Sequence, residues 1–139
     1  MSRLNRFHEA QSDVHGRALA ELRAGRKTSH WMWFIFPQLA ALGRSSTAKH
    51  YGIAGLAEAR DYLADPVLGE RLRQAATAML ANRGTPPEAV LGQVDALKLR
   101  SSATLFAAAG GGEVFQELLD EFYGGQPCPL TQQALVTDD

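Results

Sequence analysis

The sequence is poor in cysteine, and Cys128 is its only thiol. A single cysteine excludes an internal disulfide and leaves nothing for a cysteine-rich zinc site, which fits a reducing compartment. The first residues contain no apolar segment of the kind that a secretory signal needs. The longest apolar run covers residues 31–37, far short of the ~20 residues that a transmembrane helix requires. We therefore expect a cytoplasmic protein with no membrane partner.

Neither sign of charge is in excess. The chain has 14 lysine and arginine residues against 15 aspartate and glutamate residues, for a formal net charge of -1. Nucleic-acid-binding proteins usually carry a marked basic excess or a basic stripe, so nucleic acid is not an expected partner. The sequence also has no HExxH zinc motif, nucleophile elbow, P-loop or dinucleotide-binding glycine pattern. It therefore predicts no metal site and leaves any cofactor unknown.

The chain does have the size and composition of one globular domain. It has 139 residues, of which 45% are hydrophobic and 21% charged, and such values are typical of a protein with a single core. Apolar residues recur at helical spacing, whereas sustained period-2 alternation between hairpin turns is missing. We predict an all-α protein, a compact single-domain bundle of about six to eight helices without significant sheet. The domain is expected to span residues 1–135, followed by a frayed tail at 136–139.

Glycine and proline residues mark the predicted helix ends. A first helix is predicted over residues 4–24, where Gly25 supplies the stop and Gly16 costs roughly 1 kcal/mol relative to alanine. Ser29 is the predicted N-cap of a helix over residues 30–36, which Pro37 interrupts. The remaining helical segments are predicted over residues 54–64, 66–83, 86–91, 94–109 and 113–123, with short turns at 46–50, capped by Ser45 or Ser46, and within 127–135. Asp65 is the predicted capping carboxylate of the segment that starts at Pro66.

The most unusual segment, residues 30–38, has the sequence HWMWFIFPQ. A helix that is apolar on all sides is normally buried, so we predict that Phe34, Ile35 and Phe36 lie in the core. A histidine at the start of the segment could hold a polar group of a ligand, and a tryptophan could stack on a flat ring. The polar or amphipathic residues of this segment are therefore the candidates for function: His30, Trp31, Trp33 and Gln38.

A second polar group lies in the predicted helix over residues 94–109. Asp95, Lys98 and Ser102 share one helix face, and Ser101 lies alongside. Together the lysine and the two hydroxyls could hold a phosphate or a carboxylate. The plainer interpretation is an exposed Asp–Lys pair worth a few tenths of a kcal/mol, with serines that face solvent or bond their own backbone. The apolar residues predicted for the core in this helix are Leu97, Leu99, Leu105 and Phe106.

Several strings of the sequence occur together in one known family. They include SHWMWFIFPQ at residues 29–38, YGI at 51–53, and the polar residues within 95–102. With these strings the chain resembles the DUF1810 family of bacterial proteins, also described as Rv1873-like, over residues 4–135. The first string is long and rare enough to be highly specific. The resemblance implies a mainly α-helical single domain and implies no activity, because the family is named for its unknown function.

Two positions depart from the family pattern. His15 stands where a tyrosine is usual, and Ala103 stands where a methionine is usual. If either is a site position, a ligand role there is in doubt, although alanine in place of methionine would more simply reshape packing. The resemblance draws attention to the polar and aromatic residues of the family's strings: His30, Trp31, Trp33, Gln38, Asp95, Lys98 and Ser102.

Two hypotheses of function follow. In the first, the two segments meet and form a pocket for a small planar anionic metabolite such as a nucleotide. His30 or Asp95 would act as acid or base there, and Lys98 would stabilise negative charge. In the second, part of the Trp31 and Trp33 segment is exposed and serves as a non-enzymatic protein interface. The sequence does not decide whether the protein is an enzyme, or whether it is a monomer or a small homo-oligomer.

Overall fold

The computed structural model describes residues 3–138, which form ten α-helices and one short 3-10 helix. The α-helices are α1 (Asn5–Gln11), α2 (His15–Ala24), α3 (Met32–Ile35), α4 (Ser46–His50), α5 (Leu56–Ala64), α6 (Leu68–Leu80), α7 (Pro87–Leu91), α8 (Gln93–Ala108), α9 (Glu113–Tyr123) and α10 (Pro129–Asp138). The 3-10 helix covers Ala40–Leu42. Within the described range, the extended pairing consists of one isolated parallel bridge between Leu39 and Ile53. The all-α prediction is confirmed, although ten helices exceed the predicted six to eight.

The predicted first helix is divided into α1 and α2. The division follows from Gln11, which ends α1 and turns its side chain into the core, where it is only 1% exposed. Its amide nitrogen donates hydrogen bonds to the Phe34 carbonyl at 2.7 Å and to the Tyr62 hydroxyl at 2.9 Å. The break lets α1 pack against α3 while α2 packs against α6, so the prediction of one continuous helix was wrong.

The aromatic helix is shorter than predicted, because α3 begins only at Met32. Ser29 does not cap it, since the Ser29 hydroxyl donates instead to the carboxylate of Glu21 at 2.6 Å. The helix ends at Ile35, and Phe36 then has a non-helical backbone ahead of Pro37. The predicted core positions of this segment are confirmed, because all three side chains are at most 9% exposed: Phe34, Ile35 and Phe36.

Two predicted start signals are confirmed. The Ser45 hydroxyl caps α4 by accepting a hydrogen bond from the Ala48 amide at 3.0 Å. The Asp65 carboxylate accepts from the amides of Val67 and Leu68 at 2.9 and 3.0 Å, and so satisfies donors that would otherwise be unpaired at the start of α6. Short polar side chains therefore set these two helix starts, as their positions in the sequence indicated.

The carboxyl-terminal half of the described range follows the predicted boundaries closely. The observed α8 and α9 agree with the predicted segments to within one residue at each end. The exception is α10, a full helix over Pro129–Asp138 where a single turn was predicted. Residue 139 of the predicted tail lies outside the described residues. The helix α10 packs against α8 and therefore borders the surface of α8.

The helix α8 lies at the centre of the fold, in contact with α5, α7, α9 and α10. Its Phe106 ring is fully buried and lies 5.3 Å from the Tyr62 ring and 5.8 Å from the Phe115 ring, measured between centroids. Full burial of one such side chain stabilises the fold by about 1.5–3 kcal/mol. The prediction that Leu97 lies in the core was wrong, because this residue is 65% exposed on the opposite side of α8. No helix within residues 3–138 has the length and apolar character needed to cross a membrane.

Candidate functional site

A groove of about 550 Å³ lies between α8, the loop that leads into α4, and the start of α10. Its volume is in the range of small-molecule sites. Three large apolar side chains that line it are strongly exposed, namely Val94 (67%), Leu97 (65%) and Leu130 (64%). They are three of the five exposed large hydrophobic residues in the described range. The exposed apolar surface of the protein is therefore concentrated at this groove.

The charged side chains that line the groove all have the same sign. They are Arg44, Lys98 and Arg100, and no carboxylate belongs to the described lining. Cations that share a partly desolvated concave surface raise the local concentration of anions. The groove therefore combines an apolar surface with a positive potential in a protein whose net charge is only -1.

One hydrogen bond joins the aromatic segment, residues 30–38, to α8 inside this groove. The Ser101 hydroxyl donates to Gln38 Oε1 at 2.7 Å and lies 3.3 Å from the carbonyl oxygens of Leu97 and Lys98. The Ser101 side chain is 3% exposed, whereas Gln38 is half-buried. The end of the 30–38 segment and the middle of α8 thus lie side by side.

The Lys98 ammonium lies between an aromatic ring and a carboxylate. Its Nζ is 5.3 Å from the centroid of the Trp33 ring and 3.8 Å from Asp95 Oδ1. The other oxygen of Asp95 has a closer partner, since Oδ2 is 2.9 Å from Lys27 Nζ. The Asp95–Lys98 pair expected from their spacing is thus present, but Lys27 contributes the shorter contact. Sequence reasoning missed Lys27 because nothing local indicates which distant helix a loop lysine reaches.

Glu21 is a second residue that the sequence reasoning missed. Its buried carboxylate accepts hydrogen bonds from the backbone amides of Thr28 and Ser29 at 2.8 and 3.1 Å. It also accepts from the Ser29 hydroxyl at 2.6 Å and from Trp31 Nε1 at 2.9 Å. Burial acts to raise the pKa of Glu21, but these hydrogen bonds outweigh it and lower the pKa to about 2. The available signal was a glutamate next to the buried Leu22 on an otherwise apolar helix face.

The other predicted site residues lie outside the groove. His30 is exposed, and its side chain makes no hydrogen bond or ion pair with any residue that the structure describes. Trp31 is completely buried, and Ser102 is 1% exposed with a hydroxyl that has no hydrogen-bond partner among residues 3–138. The structure thus brings three of the predicted residues, Gln38, Lys98 and Ser101, into one groove. The other five do not line it: His30, Trp31, Trp33, Asp95 and Ser102.

The two positions that depart from the family pattern also lie away from the groove. Ala103 is buried in α8 at 1% exposure, so a longer side chain there would have to be accommodated by the core. His15 Nε2 lies 2.9 Å from Gln74 Oε1, and burial lowers the pKa of His15. Within residues 3–138, no three histidine, cysteine, aspartate or glutamate side chains lie together as ligands for a metal ion.

Comparison with known proteins agrees with the resemblance found in the sequence. Residues 1–135 match the family described as DUF1810, protein of unknown function. Among solved structures, the chain is similar to the crystal structure of the conserved hypothetical protein Rv1873 from Mycobacterium tuberculosis. The identity is 45%, 96% of each chain is covered, and the TM-score is 0.93. No curated protein matches the chain. Because the family match covers nearly the whole chain and a solved structure is 45% identical to it, the chain belongs to the DUF1810 family.

Proposed function

We propose that the groove between α8, the loop before α4 and α10 binds a small planar anion such as a nucleotide or an aryl phosphate. The observation that carries this proposal is the combination of three cations and an exposed apolar surface in one concave site, with no carboxylate among the lining residues that the structure describes. Small-molecule sites are typically apolar clefts with a few polar groups that fix the orientation of the ligand.

Two of the three positive charges are held in place before any ligand arrives. Lys98 lies against the Trp33 ring. Arg100 donates from Nε to the Gln126 carbonyl at 2.9 Å, and its guanidinium lies 5.9 Å from the centroid of the Tyr123 ring. Side chains that are already restrained lose less conformational entropy on binding. We therefore assign the negative group of the ligand to Lys98 and Arg100, with Arg44 at the open rim.

The apolar lining supports a flat body for the ligand. Leu42 and Leu97 line the groove together with Leu130, and aliphatic side chains of this kind can cover the face of a ring. Gln38 Oε1 accepts a hydrogen bond from the Ser101 hydroxyl. The amide N–H groups of Gln38 therefore remain available to acceptors on the ligand. An anion with a planar, largely apolar body satisfies both the charge and the apolar surface.

The groove is assigned a binding role, with no chemical step. Among its described lining residues there is no histidine and no carboxylate that would serve as a general base. The acid–base roles expected for His30 and Asp95 lack support from their positions, because His30 is exposed outside the groove and Asp95 lies between two lysines. The binding role of Lys98 does not depend on either residue.

A protein-interaction role is the second candidate function. It is favoured by the joint exposure of Val94, Leu97 and Leu130, because clustered apolar surface often marks an interface. The tryptophan segment contributes little to such an interface, since Trp31 is completely buried and Trp33 is half-buried. Stable self-association that is abolished by Leu97→Asp, together with no binding of small anions, would favour this role over the first.

The experiment that tests the binding proposal compares two lysines of the chain. Adenosine monophosphate and 1-naphthyl phosphate are titrated into the wild-type protein and into Lys98→Gln by calorimetry. We expect Lys98→Gln to weaken binding about tenfold, the equivalent of about 1.4 kcal/mol. Lys49→Gln is the matched control, because Lys49 is exposed on α4 and does not line the groove. Absence of binding by the wild-type protein, or equal losses in both variants, would refute the proposal.

A further inference from the structure

We propose that Lys27 is a positioning residue for this groove, because its ion pair with Asp95 leaves the Lys98 ammonium available to an anionic ligand. The inference rests on the proposed function and adds to it the control of charge at the same site. It concerns a residue that does not line the groove. Its effect must therefore pass through Asp95.

The Lys27 ammonium is fixed in its position. The side chain is only 9% exposed, and Nζ lies 2.9 Å from Asp95 Oδ2 and 5.1 Å from the centroid of the Trp31 ring. The backbone amide of Lys27 donates to the Val90 carbonyl at 2.9 Å, at the end of α7. A cation that is nearly buried and held by its backbone as well as its side chain remains with its carboxylate.

The loop that carries Lys27 is itself held by Glu21. The Glu21 carboxylate accepts the amide protons of Thr28 and Ser29, the two residues that follow Lys27. Its backbone carbonyl accepts the amide proton of Arg26 at 3.0 Å. Because residues on both sides of Lys27 are bonded to one residue of α2, the loop directs the lysine side chain toward α8.

Without Lys27, Asp95 would compete with the ligand for Lys98. The two residues are one helical turn apart on α8, and Lys98 Nζ already lies 3.8 Å from Asp95 Oδ1. A partly buried carboxylate that loses one cation is driven to pair with another, since an unpaired charge is costly to desolvate. With Lys27 in place, Lys98 lies at an intermediate distance from Asp95 and over the Trp33 ring. Without Lys27, we expect Lys98 to move onto Asp95 and away from the groove.

The first test measures binding of 1-naphthyl phosphate by calorimetry. Lys27→Met should weaken binding about fivefold, the effect of roughly one lost charge interaction near a protein surface. Lys27→Arg should restore most of the affinity, because it retains the cation beside Asp95. Asp95→Asn should strengthen binding, since it removes the carboxylate that competes with the anion for Lys98, and should lower stability because Lys27 is left without its ion-pair partner.

The Lys27→Met substitution, made in a protein that lacks Lys98, distinguishes a positioning role of Lys27 from the general effect of losing its charge. In a Lys98→Gln protein, Lys27→Met should change the affinity less than twofold, because no lysine remains at position 98 for Asp95 to capture. An equal loss in the wild-type and Lys98→Gln backgrounds would overturn the inference while leaving the proposed function intact. Absence of binding by the wild-type protein would overturn the proposed function, and the inference with it.

A measurement without ligand tests the same inference independently. The chain contains three lysines, Lys27, Lys49 and Lys98, so their side-chain proton signals can be assigned by substitution of each to arginine. In the wild-type protein the terminal methylene protons of Lys98 should be shifted by the ring current of Trp33. In Lys27→Met they should move toward the unshifted position, while those of Lys49 stay unchanged. A Lys98 signal that is identical in both proteins would overturn the inference, whatever the binding data show.

Discussion

The Ser101 hydroxyl lies 2.7 Å from Gln38 Oε1 and donates a hydrogen bond to it. This bond connects the loop that follows the aromatic helix to the middle of the central helix α8. The bond fixes Gln38 beside Lys98. The residue before Lys98, Leu97, projects to solvent. The geometry of the groove therefore depends on a polar contact between two segments that are far apart in the sequence.

Removal of this contact should destabilise the protein. We expect Ser101→Ala to lower the free energy of unfolding by about 1–2 kcal/mol, because the half-buried Gln38 amide loses its partner. Urea unfolding followed by circular dichroism measures this. The control is Ser46→Ala, an exposed serine on α4, which should stay within about 0.5 kcal/mol of the wild-type protein. Equal stability of the two variants would show that the Ser101–Gln38 bond contributes nothing.

The Glu21 carboxylate should give the protein a specific sensitivity to acid. Its pKa is lowered from 4.5 to about 2 in the folded protein, so the ionised form stabilises the fold fully above about pH 4.5. That contribution, about 3 kcal/mol by linkage, is lost as the pH falls from about 4.5 toward 2. We expect Glu21→Gln to be less stable at pH 7 and to lose less stability over this interval than the wild-type protein.

Unfolding free energies at pH 7, 4.5 and 3 test this prediction. Glu9→Gln is the matched control, since Glu9 is an exposed residue of the short helix α1, and it should retain the acid sensitivity of the wild-type protein. The same sensitivity in Glu21→Gln would contradict the assignment. In that case other carboxylates would be responsible for the loss of stability in acid.

Two glycines should respond to alanine substitution in opposite directions. A Cβ atom at Gly52 would lie 2.3 Å from the Ala40 Cα atom, so the backbone beside the Leu39–Ile53 bridge would have to shift. We expect Gly52→Ala to lower the free energy of unfolding by about 1–3 kcal/mol, as for other overpacked sites. At Gly16, an exposed position of α2, the added atom meets nothing within 4 Å. Gly16→Ala should therefore raise stability by up to about 1 kcal/mol.

Thermal and urea unfolding of both variants test this pair. Because Ile53 donates its amide proton to the Gln38 carbonyl at 2.9 Å, Gly52→Ala should also weaken anion binding in the groove. Gly16→Ala should leave binding unchanged. A stabilised Gly52→Ala protein would show that the close approach of the two backbone segments is not required.

The sequence predicts well where local signals decide the structure. Helix α9 was predicted with its observed bounds of Glu113–Tyr123, because three glycines precede it and two follow it. The aromatic core of residues 34–36 follows from the apolar character of that segment on all sides. Such features depend on residues that are neighbours in the chain, and a single sequence contains them.

The prediction was wrong where distant contacts decide the structure. The break after Gln11 exists because its amide reaches Phe34 and Tyr62, and α3 starts late because Ser29 bonds to Glu21. The same limit applies to the groove. Two of its α8 residues, Lys98 and Ser101, were indicated by their spacing, whereas Leu97 was predicted for the core. The loop and α10 residues opposite them could be placed only by the tertiary structure.

The most direct test of the proposed function is a map of where a small planar anion binds. Amide chemical shifts of the ¹⁵N-labelled protein are followed by NMR as 1-naphthyl phosphate is added. We expect the largest changes within residues 42–45, 97–101 and 128–130, the segments that contain most of the groove lining, and weaker changes in Lys98→Gln. Changes centred instead on the surface lined by Arg23, Glu70 and Arg73 between α2 and α6, or no saturable changes at all, would contradict the proposed function.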